Sequence, residues 1–296
     1  MLRRGRSKVA ILAVAVCLDP EVGSGQAASP VTPPPTVSQA LVSDFKYLAN
    51  NVEADGEDIV TSPLHIGAAG AWFSDPRFYW IVGGSAAALG GAFALDYTMR
   101  MNLKNMGSNT ANALQTASYA SVISATAALY GYGLYSGDQR AREYALTAGE
   151  GAGIAVLLTL GIKAAFGRLR PFQDPHDHYA FFRGGQSFVS GEVTPMFALA
   201  CGISEYFDNR WSVAVPIYSL ALLDGFGRMG NDAHWFSDVV GAALLGVGTT
   251  ELFFYLHRRH ERMPWRFRVF PVAPPSPSGT AGRGFAPVGM TIAITW

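Results

Sequence analysis

Two long stretches of this chain, residues 78–95 and 109–136, contain no charged side chain. Segments of that length belong in a buried bundle or in lipid, since neither offers water a polar face. Both are rich in Gly, Ala, Ser and Thr rather than Leu, Ile and Phe. Small side chains let helix backbones approach closely. Asp96 and Asp138 end the two stretches, and Glu150, Lys163, Asp224 and Glu251 interrupt the other apolar segments. The pattern predicts an all-α helical bundle. Its helices fall near 37–50, 66–73, 77–99, 109–136, 140–166, 191–207, 210–226 and 234–260, broken by Gly, Pro, Asn or charge clusters. A polar loop through Asp58 is expected to follow the first. The hydropathy leans to a membrane-associated bundle.

The ends of the chain differ in kind. Arg3, Arg4, Arg6 and Lys8 precede a short apolar stretch from Val9 to Leu18, with small residues at Gly25 and Ala27. This reads as an export signal over residues 1–27, too short to span a bilayer. A Pro-rich linker over 28–36 follows, then the helical domain over 37–262. In the tail, 263–296, two β-prone runs flank a Pro/Ser/Gly connection, and Met290 to Thr295 alternate apolar and polar. A short C-terminal β-hairpin appendage is expected there. Lys plus Arg and Asp plus Glu stand at 22 each, so no global basic field points to nucleic acid. With signal cleavage only Cys201 remains, which excludes an internal disulfide.

Three groups of residues carry candidate chemistry. His234 and Asp238 are four apart, so on a helix the carboxylate reaches the ring. A carboxylate on one ring nitrogen frees the other as nucleophile or base. Lys163, Arg168 and Arg170 close an apolar segment, with Pro171 expected to end that helix. Such cations suit a helix carboxyl terminus, or form a phosphate clamp. Ser190 and Gly191 precede another helical stretch, as an ordinary cap or as an anion site of backbone N–H groups. Arg228 would join them from the loop before His234.

The ordered set Lys163-x6-Arg170-Pro171, Ser190-Gly191 and Arg228-x5-His234-x3-Asp238 resembles the type 2 phosphatidic acid phosphatase (PAP2) superfamily. That superfamily also contains bacterial acid phosphatases and vanadium-dependent haloperoxidases. The resemblance implies a bundle of the PAP2 type and a phosphatase acting on phosphate monoesters or diphosphates, lipid phosphates in particular. Lys163, Arg170 and Arg228 would hold phosphoryl oxygens, with Ser190 and the Gly191 amide adding hydrogen bonds. His234 would attack phosphorus to give a phosphohistidine, oriented by Asp238. No metal or other cofactor is implied, and vanadate would act as a phosphate mimic. The implied place is the bacterial cell envelope, exported and facing the periplasm, with a soluble and an inner-membrane bundle as the alternatives.

Two positions depart from the family pattern. Glu192 stands where the family has the histidine that protonates the leaving oxygen, and Gly227 where it usually has serine. Glutamate fills the acid role only if burial keeps it protonated, while three nearby cations favour its carboxylate. Otherwise Glu192 orients His234 or water, or marks reduced activity. The loop Asp174-Pro175-His176-Asp177-His178 has metal-ligand residue types. The resemblance places it at the pocket mouth, where substrate contact is the better reading. Two further readings share the scaffold: a vanadate-dependent haloperoxidase, and an anion-binding membrane protein that has lost catalysis.

Overall fold

The computed structural model describes residues 36–61, 76–262, 266–271 and 290–295. The expected export signal, the linker up to residue 35 and the expected helix over 66–73 lie outside the described residues. Seven helices follow in order: α1 (Val37–Thr61), α2 (Pro76–Leu103), α3 (Ser108–Ser136), α4 (Gln139–Phe166), α5 (Val193–Tyr206), α6 (Trp211–Gly230) and α7 (Phe236–Arg262). The bundle is all-α, as the charge-free stretches require. C-terminal to it, β1 (Arg266–Pro271) and β2 (Met290–Thr295) pair antiparallel, with Arg266 opposite Thr295.

The shortest helix is the most enclosed. α5 packs against α3, α4, α6 and α7, and its residues from Val193 to Ser204 are buried apart from Pro195 and Leu199. Its neighbours come very close. A Cβ on Gly246 of α7 would stand 2.3 Å from the Thr194 carbonyl oxygen, and one on Gly202 would stand 2.2 Å from the Ala148 Cβ. The close approach expected of the small residues in 78–95 is not found there, where Gly83, Gly84, Gly90 and Gly91 have nothing within 4 Å; it falls instead on α4, α5 and α7.

α1 differs from the expected short helix. It continues through the predicted polar loop to Thr61. Its inward side is polar: Arg142 Nε bonds the Asp44 carboxylate at 3.1 Å, Tyr130 donates to Asp44 at 2.9 Å, and Asp55 meets His257 at 2.8 Å. Polar residues that look like a loop signal in sequence become a helix face once buried charges oppose them.

The ends of α4 also set the site. Asp138 caps its start, accepting from Ala141 N at 3.1 Å. Gly167, at φ 51°, closes the other end by returning its N–H to the Lys163 carbonyl. The helix thus stops at Phe166, before the expected break at Pro171. Arg168 and Arg170 fall in the turn beyond it, off the helix surface.

Three helical stretches are long and apolar enough to cross a membrane: Phe78–Leu103, Gln139–Phe166 and Phe236–Arg258. Only 6% of the most apolar window of the first is buried within the protein. Tyr79, Trp80, Ile81 and Val82 on α2 and Leu157, Leu158 and Leu160 on α4 face outward. An apolar surface of this extent fits membrane association.

Candidate active site

Where α2, the end of α4 and the start of α7 meet, a fully buried guanidinium sits between two carboxylates. Arg168 Nη1 donates to Asp238 Oδ1 at 2.6 Å and to Ser237 Oγ at 2.7 Å. Nη2 donates to Asp96 Oδ2 at 2.7 Å and to the His178 carbonyl, which also accepts from Nε at 3.1 Å. Rings of Phe93, Phe181 and Trp235 lie 5.0–5.5 Å from its centre. Asp96 also accepts from Ser237 N and Oγ, both at 2.7 Å. Arg168 has spent its donors on the protein, so it positions the site and is not a ligand for substrate.

Asp238 is held from several directions. Oδ2 accepts from Ser187 Oγ and from Trp235 N at 2.9 Å, and meets His234 Nδ1 at 3.4 Å. The pair does not share a helix face as expected. α7 begins at Phe236, so His234 lies in the turn before it, and Asp238 reaches back from the first turn. That arrangement caps the helix and orients the ring together. His234 is buried, and burial pushes its imidazole below the ordinary value of 6.5; Asp238 opposes this, while Lys163 and Arg228 reinforce it. The ring is therefore neutral at neutral pH. With Nδ1 turned to Asp238, Nε2 makes no hydrogen bond among the described residues.

The remaining sequence candidates gather around that nitrogen. Lys163 interacts electrostatically with Arg170, Arg228, Asp238 and Glu192, and its Nζ donates to the Gln186 carbonyl at 2.6 Å. Burial and then the charge of Arg228 push Arg170 below the usual guanidinium range. Arg228 comes from the last turn of α6, not from a loop, and its Nη1 pairs with Glu192 Oε2 at 2.5 Å. Tyr119 donates to the same oxygen at 3.2 Å. A Cβ on Gly191 would stand 3.6 Å from Lys163 Cε.

The expected serine cap is not formed. Glu192 precedes α5 without a side-chain cap bond, and Ser190 offers its carbonyl to Thr194 N at 3.2 Å and Thr194 Oγ1 at 2.7 Å. Its Oγ is left buried without a hydrogen bond, as is Nε of Arg228. Two buried donors without protein acceptors, together with Lys163, Arg170 and Arg228, suit an anion chemically. The Asp174–His178 loop is engaged in turns: Asp174 Oδ1 accepts from His176 N and Asp177 N at 3.2 Å. No metal-ligand cluster forms there among the described residues.

The family model described as PAP2 superfamily matches residues 144–262. Over that stretch the chain is similar to the PAP2 superfamily. Comparison with curated proteins and with solved structures found no match. The PAP2 region contains every candidate from Lys163 to Asp238, but not Asp96 or Tyr119. Asp96, Ser187 and Ser237 are the residues that sequence reasoning missed, and Arg168, grouped there with Lys163 and Arg170, is spent on Asp96 and Asp238 instead. One signal was available: an aspartate directly after eighteen uncharged residues is costly unless paired.

Replacing Arg168 by Met keeps the volume but leaves Asp96 and Asp238 buried without their cation. Arg168→Met is expected to cost about 3–5 kcal/mol, read by denaturant or thermal unfolding. Wild-type stability in this variant would show that the network does not hold the site.

Proposed function

We propose that the protein is a metal-independent phosphatase that hydrolyses phosphate monoesters or diphosphates, preferably of lipids, through a phosphohistidine. One observation carries the reading: His234 is neutral, oriented by Asp238 through Nδ1, with Nε2 left beside Lys163 and Arg228. Lys163, Arg170 and Arg228 would take the phosphoryl oxygens and balance the charge that builds up in the transition state. Ser190 Oγ and the Gly191 N–H would add hydrogen bonds, the former meeting a need the protein itself leaves open. Nε2 attacks phosphorus as the bond to the leaving oxygen breaks. Water then attacks the phosphohistidine and returns His234 with free phosphate. The match of residues 144–262 to the PAP2 family model supports the reaction class.

Lipid substrates are favoured by the surroundings. Phe172, Tyr179 and Phe182 on the segment between Arg170 and Ser190 are exposed, and three helices can cross a membrane. Exposed aromatics beside a phosphate site suit a headgroup held in the site with its chains outside.

Glu192 takes a role different from a proton donor. Its side chain is 46% exposed and paired with Arg228. It occupies the position on Arg228 that a phosphoryl oxygen would take, so substrate must displace it. We therefore assign it to positioning.

Replacing His234 by Ala is expected to lower phosphate release by about a thousandfold or more and to abolish the acid-labile phosphoenzyme. Phosphate release that survives this change would sink the proposal. Because the nucleophile is neutral His234, kcat/KM, corrected for substrate ionisation, should stay level as pH falls to 6.5 and decline only below it. A decline starting above that value would contradict a buried neutral ring. For Glu192→Gln, phenyl phosphate and 4-nitrophenyl phosphate should change by the same factor. A loss confined to the poorer leaving group would instead make Glu192 the general acid.

A further inference from the structure

A second group of ligand-type side chains lies at the far end of α7 from the candidate active site. His257 is nineteen residues beyond Asp238, a separation of about 28 Å along the helix. Its Nε2 stands 2.8 Å from Asp55 Oδ2 of α1 and 3.4 Å from Glu150 Oε2 of α4. One ligand atom from each residue lies within 4.8 Å of the others. All three side chains are at most 7% exposed.

Hydrogen bonding alone does not satisfy this group. A proton on Nε2 can be directed at only one carboxylate, and the shorter contact goes to Asp55. Glu150 Oε2 is then buried without a hydrogen bond, pointing into the cluster. The nearby arginines are engaged elsewhere: Arg140 with Asp208 at 2.6 Å, Arg258 with Glu205 at 3.3 Å and Arg142 with Asp44 at 3.1 Å. Two carboxylates and a protonated imidazole would leave a net negative charge in the interior, whereas a divalent cation with a neutral imidazole would leave none.

The surroundings fit a ligand histidine. His257 Nδ1 lies 3.1 Å from Tyr47 Oη and 3.2 Å from Thr147 Oγ1, two hydroxyls that can accept its proton. Those contacts accommodate the tautomer whose Nε2 lone pair faces the carboxylates, the usual support for a metal-bound imidazole. A cavity lined by Tyr47, Arg140, Glu143, Tyr144, Phe254 and Arg258 reaches His257.

We propose that Asp55, Glu150 and His257 bind a divalent transition-metal ion of the zinc class, which pins α1 to α4 and α7. One imidazole nitrogen with two carboxylate oxygens suits zinc better than the all-oxygen shells of calcium or magnesium. The ion is structural and takes no part in the reaction at His234.

The test uses the full chain, stripped with chelator, dialysed against zinc and measured by elemental mass spectrometry. Wild type and His234→Ala should each retain about one zinc per chain, and zinc should raise their Tm. Glu150→Gln, which keeps the side chain's size, and His257→Ala should lose both the bound ion and the Tm shift. Cobalt in place of zinc should give visible absorption in wild type and not in Glu150→Gln. Circular dichroism establishes that each variant is folded; should His257→Ala fail to fold, the Glu150→Gln comparison decides. Equal zinc content in wild type and Glu150→Gln would overturn the proposal. So would zinc-free wild type with unchanged Tm, which would mean that a protonated His257 is shared between the carboxylates.

Discussion

The guanidinium of Arg168 lies between the carboxylates of Asp96 and Asp238, out of contact with water, and three helices depend on where it sits. An unpaired charge at that depth costs several kcal/mol, so each of these groups makes the other two obligatory. Asp96 brings α2 to the start of α7 through the Ser237 backbone and hydroxyl. Asp238 in turn caps α7 and orients His234. The reactivity proposed for His234 thus begins with an ion pair that touches no substrate.

Around this anchor the protein separates two kinds of cation. Arg168 is saturated by protein acceptors, while Lys163, Arg170 and Arg228 crowd together with Glu192 and carry only part of their possible hydrogen bonds. Crowding like charges in a half-buried space is unfavourable, and under the proposed function phosphate would offset that cost on binding. The Glu192–Arg228 pair then serves as an internal counterion in the free protein.

Much of this was legible in the chain. The charge-free stretches already required helices, and the spacing of Lys163, Arg170, Arg228 and Asp238 picked out groups that lie within electrostatic reach of one another. The misreadings share a cause. Polar residues in α1 resembled a loop, and Arg168 resembled one more cation at a helix end. Each side chain has its meaning through a partner remote in sequence: Asp44 through Arg142, Asp55 through His257, and Arg168 through Asp96.

The sequence by itself determined the helical class and the set of charged and nucleophilic residues, because periodicity and residue chemistry are local properties. Only the tertiary structure decided that Arg168 is spent on two buried carboxylates while Arg228 keeps Nε without a protein acceptor. It also decided that Glu192 faces Arg228 at the surface, and that a second cluster forms around His257. These depend on burial and on contacts between distant segments. A charge in water and the same charge in the interior are different chemical groups, and no short window of sequence distinguishes them.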